Sequence, residues 1–324
     1  MQDTISRFEG LKVLVIGDVM IDAYQIGTVE RISPEAPVPV VAIREKQNRL
    51  GGAANVAMNL VALGAKPILC SVVGNDPEAD DLIAILDKEH ISVAGIVKSA
   101  ERITTTKTRV MANTHQLLRI DQEITTPLSE YDTYVFAQKI IKDILPACDV
   151  VIFEDYDKGV ITPGLIEQLV TEAHRLGKKV AVDPKKRNFL NYHKVDLFKP
   201  NLKELKEGFK RDVDPSDKAS FEQAVKELME SMHLKNIMVT LSERGVMISD
   251  GETFEYMPAH IRKIADVSGA GDTVISVAAL CLALGLKNRE IAGLANLAGG
   301  LVCEEVGVVP VNKDLLRREA NSIE

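Results

Sequence analysis

Asp266-Val267-Ser268-Gly269-Ala270-Gly271-Asp272-Thr273 runs straight into the apolar stretch Val274 to Leu286, and the rest of the chain is best read outward from this junction. Small residues let a backbone approach a ligand closely, and the free N–H groups at a helix start form a cradle for an anion. The apolar stretch is shorter than the ~20 residues a membrane-spanning helix needs and continues from a glycine turn, so it reads as a buried helix. Asp272 then falls in the first helical turn. There the helix dipole favours its ionised form and a substrate hydroxyl can come within hydrogen-bond reach, which is a general base's position. Taken alone, the loop reads equally well as a tight turn at Gly269 and Gly271 with Asp272 merely capping the helix. It contains no GxxxxGK(S/T), and the first strand ends in Gly17-Asp18-Val19-Met20 rather than GxGxxG, which argues against a P-loop and a classical dinucleotide site.

Away from the junction, short β-branched runs alternate with helix-length amphipathic stretches. Lys12-Ile16, Ile68-Val73, Val150-Phe153, Val180-Asp183 and Ile237-Thr240 read as buried strands; Asp80-Glu89, Tyr131-Ile144, Pro163-Leu176 and Phe221-Met232 read as helices. The alternation predicts an α/β fold, a doubly wound and mostly parallel sheet flanked by helices. Asp250-Gly251 reads as the turn of an appended hairpin. Two segments break the pattern: proline-punctuated Pro34 to Ile43, and Thr104 to Asp121, where β-formers alternate with polar and basic residues. They predict a small β lid over about 31–45 and 103–121, within a single domain spanning 1–324.

The 324 residues, 46% of them hydrophobic, are enough for a sizeable core. A formal net charge of -8 argues against a surface built for nucleic acid or anionic membrane, while leaving room for a small basic pocket. The start Met1-Gln2-Asp3 does not resemble a secretory signal, and Cys70, Cys148, Cys281 and Cys303 lack CxxC spacing. The expectation is a cytoplasmic protein with reduced core thiols.

A second small-residue segment, Gly51-Gly52-Ala53-Ala54-Asn55-Val56-Ala57, admits either a ligand or a neighbouring helix, and Asn55 can both donate to and accept from sugar hydroxyls. The two segments together, in this order, resemble the ribokinase-like, or PfkB, carbohydrate kinase family from about Lys12 to Val309. That resemblance implies a ribokinase-like fold and ATP-dependent phosphoryl transfer to a sugar. It makes Asp272 the catalytic base and Gly269, Ala270 and Gly271 the anion hole, with Gly51, Gly52 and Asn55 on the substrate side. It also implies that Asn201 and Glu204 of Asn201-Leu202-Lys203-Glu204 organise phosphates and Mg²⁺, Glu204 acting on the metal through water. Ser242, Glu243 and Gly245 would lie by the nucleotide, and Asn296 and Gly299 would border the adenine. ATP and Mg²⁺ are the implied cofactors; a monovalent cation is left open.

Within that family, Gly17 to Asp22, Arg31 to Val40, Gln116 to Asp121 and the turn Asp155-Tyr156-Asp157-Lys158-Gly159 resemble the heptose-7-phosphate kinases of lipopolysaccharide biosynthesis. These phosphorylate the anomeric hydroxyl of D-glycero-D-manno-heptose 7-phosphate. Asp18 and Asp22 are candidates to accept sugar hydroxyls, and Arg109, Lys158 and Lys185 to hold phosphate. The relatives often carry a nucleotidyltransferase domain with an H-x-G-H element. No such element occurs in this chain, so a separate adenylyltransferase is expected. Exposed lid edges suggest a homodimer paired through the lid. The alternatives are a kinase for fructose, ribose or a tagatose phosphate, and a non-catalytic sugar- or nucleotide-binding regulator.

Overall fold

The computed structural model describes residues 2–113, 115–260 and 262–320. Thr114, within the second predicted lid segment, and the two ends of the predicted 1–324 domain lie outside them. Among the described residues there are thirteen strands: β1 (Lys12–Gly17), β2 (Val19–Ile32), β3 (Pro39–Gly52), β4 (Lys66–Gly74), β5 (Ser92–Ser99), β6 (Thr106–Ala112), β7 (His115–Gln122), β8 (Val150–Glu154), β9 (Lys179–Asp183), β10 (Leu197–Phe198), β11 (Ile237–Thr240), β12 (Val246–Ser249) and β13 (Phe254–Met257).

Nine of them form one sheet in the order β13-β12-β11-β10-β9-β8-β1-β4-β5. The pairings from β11 through to β5 are parallel, and only the β11-β12-β13 hairpin edge is antiparallel. Alternate residues of each central strand enter different cores. Val13 and Val15 pack in one layer with the helices Ala53–Ala62, Ala270–Ala283 and Asn288–Val302. Leu14 and Ile16 pack in the other with Pro163–Arg175 and Lys218–Met232. Both faces of the sheet are therefore covered, which is why its strands read as unbroken apolar runs. The expected helix Tyr131-Ile144 is α-helical over Glu130–Lys139 and widens into a π-helical turn over Ile140–Ile144, just before Pro146, whose ring nitrogen has no hydrogen to donate. The four cysteines are free and buried. Among the described residues no helix is long and apolar enough to cross a membrane.

The lid is a separate four-stranded sheet, β3-β2-β6-β7, and it is larger than the sequence suggests. Its first hairpin spans 19–52 rather than 31–45 and begins one residue after Asp18, so Asp22 and Gly51 lie on its strands. Two register shifts, between Ile26 and Gly27 and between Val29 and Arg31, interrupt the β2-β3 ladder. Such bulges break the period-2 pattern from which strands are recognised.

Candidate active site

Parallel strands end at one edge of a sheet, and here Glu154 closes β8 and Asp183 closes β9. Lys199 follows β10. The helix Ala270–Ala283 aims its first turn at the same edge. Its N-cap, Gly269, sits at φ +78°, a left-handed conformation that costs any other residue energy. A Cβ there would also meet Asn55 Nδ2 at 2.9 Å. Gly269 thus lets the turn close over Asn55, and Asn55 donates to Asp272 Oδ2 at 2.5 Å. The Asn55 carbonyl accepts from Asn59, whose Oδ1 takes Thr273 Oγ1 at 2.9 Å and the Val311 N–H at 3.0 Å, tying the two glycine segments together.

The Tyr156 hydroxyl donates to Asp272 Oδ1 at 2.9 Å. Asp272 is buried, and burial is the main reason its carboxyl is pushed up to about 6; Asp183 adds to that shift, while Asn55, Tyr156 and Lys199 oppose it. A carboxylate poised there is half ionised near pH 6 and able to take a proton at neutral pH. Lys199 pairs with Asp183 at 2.7 Å, both side chains almost wholly enclosed. Oxygens of Glu154, Asp183 and Asp272 lie within 4.8 Å of one another. Both Glu154 carboxylate oxygens and Asp183 Oδ1 are buried and find no hydrogen-bond partner among the described residues. Burial first, then the Asp183 and Asp272 charges, raise Glu154 well above the ordinary carboxylate range.

A cavity of about 750 Å³ opens beside this cluster, lined among others by Asp183, Lys185, Lys199, Asn201, Glu204, Ser242, Gly271 and Asp272. Asn201 and Glu204 form a reciprocal cap for the helix Leu202–Phe209: Asn201 Oδ1 accepts the Glu204 N–H at 2.8 Å and Glu204 Oε2 accepts the Asn201 N–H at 2.9 Å. The other Glu204 oxygen pairs with Lys185. Burial pulls the Lys185 ammonium down, but Asp183 and Glu204 outweigh it and hold the group charged.

The other candidates lie around this centre. Both carboxylate oxygens of Asp18 are taken by backbone, accepting the N–H groups of Tyr156 (2.9 Å), Lys158 (3.1 Å) and Val160 (3.0 Å). Gly52, at φ +61°, passes over the Asp18 carbonyl, and a Cβ on Gly51 would meet Asp22 Oδ2. Asp22 accepts from Arg109 at 2.5 Å, and Lys158 Nζ reaches Glu123 at 2.9 Å, so these two cations already hold carboxylate partners. Gly245 lies against the Met257 carbonyl and Asn296 donates to the Pro258 carbonyl at 2.8 Å. Glu243 is exposed beside them, and Gly299 packs on Val274. Neither Glu243, Gly245, Asn296 nor Gly299 lines the cavity that Asp272 lines. Sequence reading missed Glu154, Asp183, Lys199 and Tyr156 as site residues. The acids ending adjacent buried strands were a usable signal for the first two.

A model of the pfkB family carbohydrate kinases matches residues 11–314. The chain is 40% identical over 316 residues to the "Bifunctional protein HldE" of Desulfatibacillum aliphaticivorans, covering 97% of this chain and 64% of that one. It is 42% identical over 314 residues to that of Chromohalobacter salexigens, covering 96% and 64%. The chain thus spans just under two thirds of the length of these relatives. Among solved structures it resembles Escherichia coli phosphofructokinase-2 in complex with fructose-6-phosphate (TM-score 0.75, 19% identity, 97% of this chain and 99% of that one). It also resembles Arabidopsis thaliana ribokinase complexed with ribose and ATP (TM-score 0.72, 18% identity, 97% and 98%). At such identities the likeness is one of fold, and it agrees with the mostly parallel sheet and the flanking helices described above. With the family match covering nearly all of the chain, these findings establish that the chain belongs to the pfkB family of carbohydrate kinases, enzymes that phosphorylate sugars with ATP.

Proposed function

We propose that the chain transfers the γ-phosphoryl group of ATP to the anomeric hydroxyl of D-glycero-β-D-manno-heptose 7-phosphate, giving the 1,7-bisphosphate on the way to ADP-heptose and the lipopolysaccharide core. The observation that carries the phosphoryl-transfer reading is the placement of Asp272: buried, raised to about 6, in the first turn of a helix and on the wall of a cavity that also holds Lys185 and Lys199. The heptose reading rests on the Gly17–Asp22 and Arg31–Val40 segments and on the similarity to the bifunctional HldE proteins.

In this reading Asp272 accepts the proton of the attacking hydroxyl as the new O–P bond forms, and ADP leaves. The N–H groups of Gly269 and Gly271 would face the moving phosphoryl group, whereas that of Ala270, expected to join them, donates to the Val267 carbonyl at 3.3 Å, and Lys185 and Lys199 offset the charge carried by the phosphates. The unpartnered oxygens of Glu154 and Asp183 fit a divalent cation, which a set of hard carboxylate donors favours. They would hold Mg²⁺ with Glu204, whose oxygens are already engaged, acting through water. Bound there, Mg²⁺ would neutralise phosphate charge. Gly51, Asn55, Asp22 and Arg109 frame the acceptor side beneath the lid, while Asn201, Ser242, Glu243, Gly245, Asn296 and Gly299 mark the nucleotide side. Lid residues Ile32, Val38, Leu118 and Ile120 are 48–61% exposed, which supports a homodimer paired through the lid. The adenylyl transfer that follows would fall to another active site, and the setting would be the cytoplasm.

The test is ATP consumption with Mg²⁺ across heptose 7-phosphate, fructose, fructose 6-phosphate and ribose, beside Asp272→Asn. A strong preference for heptose 7-phosphate and a loss on the order of 10³-fold in Asp272→Asn are expected. Preference for another acceptor overturns the heptose assignment, and an active Asp272→Asn overturns the base.

A further inference from the structure

Two buried carboxylates are committed to one short turn. Asp18 holds the N–H groups of Tyr156, Lys158 and Val160. Asp155 accepts the Asp157 N–H at 2.8 Å, Asn188 Nδ2 at 3.0 Å and the Tyr192 hydroxyl at 2.8 Å. The turn also contains Asp157 at φ +57° and Gly159 at φ +89°, and a Cβ on Gly159 would collide with the Thr126 carbonyl. A loop whose only task was to join a strand to a helix would not need two desolvated acids to fix it.

What the turn carries is Tyr156, and its two ends touch different parts of the site. The hydroxyl lies 2.9 Å from Asp272 Oδ1, opposite the oxygen that Asn55 holds. The ring lies under Lys185 Nζ, 5.3 Å from its centroid, and Lys185 in turn pairs with Glu204 of the Asn201–Glu204 cap. The outer torsion of an aspartate is broad, so a carboxylate touched on one oxygen only can still rotate. Donors on both oxygens fix its plane.

We propose that Tyr156 is a positioning residue with two separable tasks: its hydroxyl orients the carboxylate of Asp272, and its ring seats Lys185 on the phosphate side of the cavity. This rests on the reading of Asp272 as the base. Burial and the neighbouring carboxylates hold the phenol protonated, so the hydrogen runs from Tyr156 to Asp272. Arrangement of the acceptor side and of the phosphate side then depends on one side chain, itself fixed from below by Asp18.

The two tasks separate in two variants, assayed with MgATP and the acceptor that the wild-type chain turns over fastest. Tyr156→Phe keeps the ring and loses the hydroxyl. It is expected to lower kcat about ten- to a hundredfold, the range for a hydrogen bond to a charged group, with the KM for ATP within twofold of wild type. Tyr156→Leu loses both. It is expected to match that fall in kcat and also to raise the KM for ATP and the calorimetric Kd for MgATP about three- to tenfold. Thermal melts of both variants should stay cooperative. A Tyr156→Phe kcat within twofold of wild type overturns the first task, and equal ATP affinity in the two variants overturns the second. Asp272→Asn runs alongside. If it is inactive while Tyr156→Phe is unimpaired, only the role of Tyr156 falls; if it is active, the assignment of the base falls instead.

Discussion

The mouth of the large sheet and the lid both carry opposite charges in close pairs, but in different surroundings. At the sheet edge, Lys199–Asp183 is almost wholly enclosed, and Asp272, Glu154 and Asp183 crowd within 4.8 Å. In the lid, β7 is exposed along its whole length, and the Arg119 side chain that pairs with Asp121 is 52% exposed. Enclosed charges interact strongly and cannot relax, so their positions are set before a substrate arrives. Half-solvated charges are screened and can exchange one partner for another. On the proposed function, the sheet edge would serve to lower the barrier and the lid to recognise and enclose the sugar.

The largest effect expected of that contrast is at Gly269. Gly269→Ala must accommodate φ +78° and bring a Cβ to 2.9 Å from Asn55 Nδ2. Displacing Asn55 displaces Asp272, the proposed base, and kcat should fall about 10²-fold or more while the KM for the sugar changes much less. Steady-state kinetics in both substrates check this. A rise in KM alone would mean that the loop binds rather than preorganises, and the two regions would no longer differ.

An intermediate effect is expected in the lid. Arg109→Met removes the partner that Asp22 holds at 2.5 Å. With Asp22 released, the KM for the sugar should rise about tenfold, or ~1.4 kcal/mol, with kcat within threefold and the KM for ATP unchanged. A kcat loss as large as that of Gly269→Ala would place the lid among the parts that act on the transition state.

The same contrast explains what was legible in the sequence. Small residues followed by an acid at the start of an apolar helix identify a loop by local chemistry, so Gly269 to Asp272 could be read from the residues alone. The buried strands were legible for the same reason, their apolar runs leaving no alternative. Lys199 was not, because it follows β10, two residues long and below any detectable periodicity. The turn that carries Tyr156 stands out by its resemblance, but its residues give no sign of where the hydroxyl goes, and only the tertiary fold brings it to Asp272, 116 residues away. The lid was half legible: its solvated strands carry polar residues on both faces, and the bulges in β2-β3 conceal how far that hairpin extends.

A last effect, on stability rather than on rate, follows from the burial of Asp272, the proposed base. Asp272 is held at about 6 against an ordinary aspartate value of 3.8, chiefly by desolvation. Below pH 3.8 the carboxyl is protonated in both folded and unfolded chains. Between 3.8 and about 6 the unfolded chain loses its proton first, so folding is progressively disfavoured; above 6 the cost is constant. That gap corresponds to at most ~3 kcal/mol. Asparagine at 272 does not titrate and can still accept one of the two donors, Tyr156 being able to turn its hydroxyl and accept in exchange. The gain of Asp272→Asn over wild type should therefore grow from a few tenths of a kcal/mol near pH 4 to about 1–3 kcal/mol near pH 7, measured by denaturant unfolding in EDTA, even as the variant loses catalysis. A gain confined to the high-pH side identifies a base kept at the expense of stability, as enclosed charges at the sheet edge require. A pH-independent difference would mean that Asp272 is as well solvated as the acids of the lid, and the distinction between the two regions would not hold at the residue where it matters most.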